Sequence, residues 1–149
     1  MALPSMGRGL HLQNGLLPGI GAALVLAVSL GCSRGPQVGA VSGTVSYGGQ
    51  PLEGLNITFD PIAGGRSSTG VTRADGGYEL RYTRDRNGAL VGTHEVRVNW
   101  PAQTNEDLAK RDKYPIPASY NTATTLSFDV KPGSNTFDVS ITPGSPAGR

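Results

Sequence analysis

Between residues 41 and 142 apolar and polar side chains alternate with a period of two. Val41, Val45 and Tyr47 fall on one side of a run whose other side holds Ser42, Thr44 and Ser46. The same beat recurs at Leu55, Ile57 and Phe59, at Tyr78, Leu80 and Tyr82, and at Val96, Val98 and Trp100. It returns at Leu126, Phe128 and Val130 and again at Phe137, Val139 and Ile141. Successive side chains of an extended chain point to opposite faces, so each run describes a strand with one buried and one wet face. A weaker run at 68–73, through Val71, brings the expected strands to seven.

The segments between the runs agree. "GGQP" at 48–51, "ADGG" at 74–77, "RNG" at 86–88 and "KPGSN" at 131–135 are rich in residues that accept positive φ or preset a turn. Short strands separated by frequent turns predict an all-β, two-sheet sandwich, with an open barrel as the alternative. One stretch departs from the beat. In "PAQTNEDLAKRDKYPIP", 101–117, Thr104 precedes Asp107 by three residues, as in a capping box, and Glu106/Lys110 and Asp107/Arg111 are spaced as i,i+4 pairs. This predicts one or two helical turns over 105–112, after which Pro115 and Pro117 enforce an extended path.

The first 31 residues read differently. Arg8 precedes "LLPGIGAALVLAVSL", Leu16 to Leu30, which carries no charge. A bilayer core of roughly 30 Å needs about 20 residues of helix, so this run is short for a span and has the length of a signal-peptide core. Cys32, the only cysteine, follows at once. Ser29-Leu30-Gly31-Cys32 resembles a bacterial lipobox with its first two residues in reverse order. That resemblance implies that Cys32 becomes the first mature residue and carries lipid, with palmitate-type acyl chains. A lone cysteine has no intramolecular partner, and acylation removes a thiol that is otherwise exposed to an oxidising compartment. The organisation expected is therefore a lipoprotein signal peptide at 1–31, a flexible tether at 32–40, a domain at 41–142 and a disordered tail at 143–149. The protein is expected to be exported and lipid-anchored to the cell membrane or outer membrane, with its domain outside the cytoplasm.

Charge narrows the partners. The formal net charge of +2 includes Arg8. Loss of the signal leaves the mature chain close to neutral, which offers no electrostatic footing for nucleic acid.

Four blocks of the mature sequence carry a family resemblance. "VSGTVSYGGQPLEGLNITFDP" (41–61), "GVTRADGGYEL" (70–80), "GTHEVRV" (92–98) and "YPIPASYNTATTLSFDVKPGSNTFDVSI" (114–141) resemble, in order, small exported bacterial lipoproteins abundant in planctomycetes. These are described as carboxypeptidase regulatory-like domains. The resemblance implies a seven-stranded transthyretin-like (prealbumin-like) β-sandwich and leaves the activity open.

Candidate chemistry is sparse. Outside the signal the only histidine is His94, so any nucleophile–imidazole mechanism rests on that one residue. Transthyretin-like hydroxyisourate hydrolases need several histidines, and intradiol dioxygenases need two His and two Tyr for iron. Zinc sites need three or four clustered ligands. No catalytic residue, metal site or cofactor is therefore expected. The remaining candidates are surfaces. Arg81, Arg84 and Arg86 could meet lipid phosphates or an acidic polysaccharide, or form a solvated loop. Tyr114, Ile116 and Tyr120, stiffened by two prolines, form a candidate contact surface or else cap the sandwich. The function expected is a non-enzymatic, lipid-anchored binding or structural module of the cell envelope. Its partners are the membrane, through the lipid, and an envelope protein or polysaccharide. A carbohydrate-recognising protein and an uncharacterised hydrolase are the alternatives.

Overall fold

The computed structural model describes residues 35–101 and 104–144. The expected signal peptide, Cys32 and Arg34 lie outside the described residues, as do residues 145–149 of the expected tail. The described chain is mostly β and forms two sheets around one core.

The first sheet is organised by a single long strand, β1 (Val38–Tyr47). Along one edge it pairs antiparallel with three short segments in succession, β8 (Ala89–Leu90), β5 (Gly77–Glu79) and β2 (Gln50–Pro51). Along the other it pairs parallel with β11 (Ser134–Thr136) and β12 (Val139–Ile141). The second sheet runs β10 (Ser127–Val130), β9 (Gly92–Asn99), β3 (Asn56–Pro61), β4 (Ser68–Val71), β6 (Arg81–Thr83) and β7 (Arg86–Asn87).

Several expectations are refined by this arrangement. β1 begins at Val38, so the last residues of the expected tether are strand. Val38 lies opposite Leu90, and the Gln37 carbonyl accepts from the Val91 amide at 2.9 Å. The run through Tyr78, Leu80 and Tyr82 is divided between sheets, because β5 pairs with β1 and β6 with β4. Leu80 sits buried at the crossing. In the weak strand the phase is opposite to its one apolar residue. Val71 is 57% exposed, while Ser68 and Gly70 face inward. The turn expected at 86–88 falls instead at 84–85, and Arg86–Asn87 is strand.

The interior contains Val45, Leu55, Ile57, Phe59, Tyr78, Leu80, Val96, Val98, Val130, Val139 and Ile141, all placed there by the alternation. Leu126 and Phe128, also expected inside, are only partly buried at its edge. Val41, Leu52, Ala89 and Trp100 complete it. Phe59, Phe128 and Phe137 form an aromatic group, with Phe59 edge-on to each of the others at 6.1 and 5.8 Å. Two positive-φ glycines, Gly48 and Gly49, make the tight turn between β1 and β2, where a Cβ-bearing residue is strained.

The helix α1 spans Asn105–Lys113. The Thr104 hydroxyl accepts from the Asp107 amide at 3.1 Å and the Asp107 carboxylate accepts from the Thr104 amide at 3.0 Å, which closes the capping box. Glu106 and Lys110 pair at 2.9 Å. The expected Asp107/Arg111 pair does not form, because the cap occupies Asp107 and Arg111 lies nearest Asp112, at 4.0 Å. No residue of α1 is buried, so capping and the pair, more than packing, hold it. No helix among the described residues is long and apolar enough to cross a membrane.

Candidate functional site

The segment after α1 is where apolar side chains, stiff backbone and an open cleft meet. Trp100, at the end of β9, donates from Nε1 to the Tyr114 carbonyl at 2.8 Å. Tyr114 packs edge-on against Tyr47 at 5.6 Å. After Pro117 comes a single 3-10 turn, Ala118–Tyr120, and the Tyr120 hydroxyl donates to the Ser140 carbonyl at 3.2 Å. Tyr114, Ile116 and Tyr120 are all half-buried and packed on the core. They therefore cap the sandwich with one part of each side chain and leave the rest at the surface.

Beside them, on the outer face of β9, Arg97, Asn99, Asn121 and Thr122 line an open cleft of about 480 Å³. Sequence reasoning did not single these residues out. Asn and Thr in a turn ordinarily mean a turn, and only the fold brings residues 121–122 beside 97 and 99. Arg97 is held on two sides. Its guanidinium donates to Asp60 at 2.9 Å and to Glu95 at 2.5 Å, and Asp60 also accepts from the Ser67 hydroxyl at 2.5 Å. Its charge is thus neutralised locally. The cleft offers amide, hydroxyl and guanidinium hydrogen-bonding groups without a net cationic pull, a lining suited to a neutral, hydroxyl-rich ligand.

The other candidates separate in space. His94 lies on β9 facing inward, at 0% exposure, with Phe59 at 5.8 Å. Its Nδ1 donates to the Gly92 carbonyl at 2.9 Å, and Nε2 has no partner among the described residues. A solvent-borne substrate has no access to this imidazole without opening of the core. Asp75 accepts from the Gly77 amide at 2.8 Å and so shapes its turn. Arg81 lines a second cleft, of about 400 Å³, with Arg73, Glu79 and Thr69. Arg84 and Arg86 lie at the opposite end of β6, away from that cleft. The three arginines thus do not form one site. Among the described residues no cluster of three or more His, Cys, Asp or Glu is arranged to hold a metal.

Compared with known proteins, the chain matches no family model, no curated protein and no solved structure.

Proposed function

We propose that the protein is a non-enzymatic, lipid-anchored binding or structural module of the cell envelope, exported by its N-terminal signal and built on a transthyretin-like seven-stranded sandwich of the carboxypeptidase regulatory-like kind. The observation that carries the reading is the position of Cys32. The only cysteine of the chain stands where an uncharged run ends and a small, polar stretch begins. The fold supports the sandwich part. Run 38–47 lies between 77–79 and 134–141 in one sheet, and 127–130, 92–99, 56–61 and 68–71 follow one another in the other. Burial of His94 supports a binding role over catalysis, because the one imidazole of the mature chain is enclosed. Mass spectrometry of the protein purified from its native membrane tests the anchor. An acylated Cys32 at the mature N-terminus is expected, and an unmodified Cys32 inside an intact N-terminal peptide refutes it.

Carbohydrate recognition is the second reading, favoured by the cleft of Arg97, Asn99, Asn121 and Thr122 beside the half-buried Tyr120. Glycan-array binding that is lost in Asn121→Ala and Tyr120→Ala variants of unchanged melting temperature would establish it. Absence of any glycan signal removes it.

A further inference from the structure

The end of the domain from which the chain leads back toward Cys32 also gathers exposed cations. Strand directions fix which loops share that end. β1 starts there, with Val38 opposite Leu90. A side chain at Gly65 would meet Leu90, so the 62–67 loop lies alongside. β6 descends to the same end and turns at Arg84–Asp85, and β7 leaves it with Arg86. Arg86 donates from its guanidinium to the Pro36 carbonyl at 3.2 Å, next to the point where the chain enters β1. Arg66, Arg84 and Arg86 are exposed and, among the described residues, none of them is in an ion pair. The acids toward this end are Asp85, in the turn itself, Asp129, which Lys131 occupies, and Asp60 with Glu95, both of which Arg97 occupies. In the same 62–67 loop as Arg66, on its β9 side, Ile62 stands 67% exposed, more than any other large hydrophobic residue described, and its amide donates to the Thr93 carbonyl at 3.0 Å.

We infer that this end of the sandwich, through Arg66, Arg84, Arg86 and the projecting Ile62, seats on the anionic headgroup surface of the bilayer that holds the lipid anchor. The inference rests on acylation of Cys32. Pro36 lies four steps along the chain from Cys32, and four fully extended steps reach at most about 14 Å. An anchored Cys32 therefore keeps Pro36 within roughly one to two Debye lengths of the headgroups at physiological salt, where surface potential acts on arginine. Arginine donates bidentately to phosphate, and an exposed isoleucine in the same loop as Arg66 fits the boundary between headgroup and acyl chain. Seated this way, the domain directs the opposite end, with α1, the β1–β2 turn and Glu53, away from the membrane.

The test uses the full chain purified from membranes and reconstituted into vesicles of mixed phosphatidylglycerol and phosphatidylcholine. A fluorophore is placed at Ala63→Cys or, at the far end, at Glu53→Cys, and quenching by headgroup spin-labelled lipid is measured. Severalfold stronger quenching at 63 than at 53 is expected, diminishing in high salt, in pure phosphatidylcholine and in the Arg66→Glu/Arg84→Glu/Arg86→Glu variant. Trp100 fluorescence reports that each variant is folded. Equal quenching at the two positions, with acylated Cys32 found in the same sample, overturns the seating and leaves the anchor standing. Unmodified Cys32 overturns both.

Discussion

The hydroxyl of Tyr78 donates a 2.6 Å hydrogen bond to the carbonyl of Phe137 across the strand that runs between them. Tyr78 on β5 lies opposite Gly43 on β1, and Phe137 follows β11 on the far side of β1. The bond passes over Gly43 because that residue has no side chain. A Cβ there would lie 1.9 Å from the Phe137 oxygen and 3.0 Å from the Tyr78 ring. Next in sequence, Asp138 turns its carboxylate to the Thr44 amide at 2.8 Å and the Thr44 hydroxyl at 2.9 Å, filling the ladder between β11 and β12. Gly43→Ala should therefore cost about 3 kcal/mol or more, since backbone has to move on both sides. Denaturant unfolding measures it, and a midpoint like that of the native chain would show the close approach to be dispensable.

Tyr78 also makes stability depend on alkaline pH. Burial, and then the nearby Asp138 carboxylate, raise its pKa well above the ordinary tyrosine value. The folded protein keeps this proton while the unfolded chain releases it above about pH 10. The contribution is fully present below pH 10 and is lost as pH rises through the folded value. Tyr78→Phe should cost about 1–3 kcal/mol at neutral pH, by leaving the Phe137 carbonyl unpaired. The deficit should shrink as pH climbs past 10. Unfolding free energies of the two proteins at pH 7, 9 and 11 check this, and parallel profiles would refute it.

The alternation of side chains identified most of the interior because a half-buried strand writes its inner face into every second residue. It went astray where packing selected small or polar residues for that face. Ser68 and Gly70 lie inward because the strand passes close to β5, and a Cβ on Gly70 would sit 2.7 Å from the Glu79 carbonyl. The division of 77–83 between two sheets leaves no mark on the pattern, since Tyr78, Leu80 and Tyr82 keep one phase throughout. Capping-box residues are local and were legible. The cleft was not, because it joins residues 97 and 99 to 121 and 122 only through tertiary folding.

Phe59 and Phe128 share the alternation but not the same burial, so their truncations should differ. Phe59 is fully enclosed, with Phe128, Phe137 and His94 around it. Phe59→Ala should cost about 3–5 kcal/mol, which is much of the 5–15 kcal/mol available to a small domain. Phe128, at the edge, keeps part of its ring at the surface, and Phe128→Ala should cost distinctly less. Thermal melts of the two variants decide the order, and a lower melting temperature for Phe128→Ala would contradict it.

Trp100 ties the capping segment to the sandwich through its bond to the Tyr114 carbonyl. Trp100→Phe keeps an aromatic ring and removes the donor. The expected loss is about 1 kcal/mol globally, with faster amide exchange concentrated in residues 114–121. Uniform acceleration across β9 and β3 instead would mean that the indole acts through the core alone.

His94 offers the sharpest separation of structure from chemistry. Its ring is enclosed, bonded through Nδ1 to Gly92, with Nε2 unpartnered among the described residues. A buried polar atom without a partner costs stability. His94→Leu removes that cost together with the Gly92 bond, and the two changes oppose each other. The net effect on unfolding should be within about 1 kcal/mol. His94→Gln keeps a donor for the Gly92 carbonyl and puts a second polar group into the same enclosed space, so it should be the less stable variant of the two. Neither should alter turnover in a broad screen of ester, amide and glycoside substrates, because an imidazole shut inside the sandwich cannot meet them. Hydrolysis by the native chain that disappears in a His94→Leu protein with native-like melting would overturn the binding-module reading and make this residue a catalytic base.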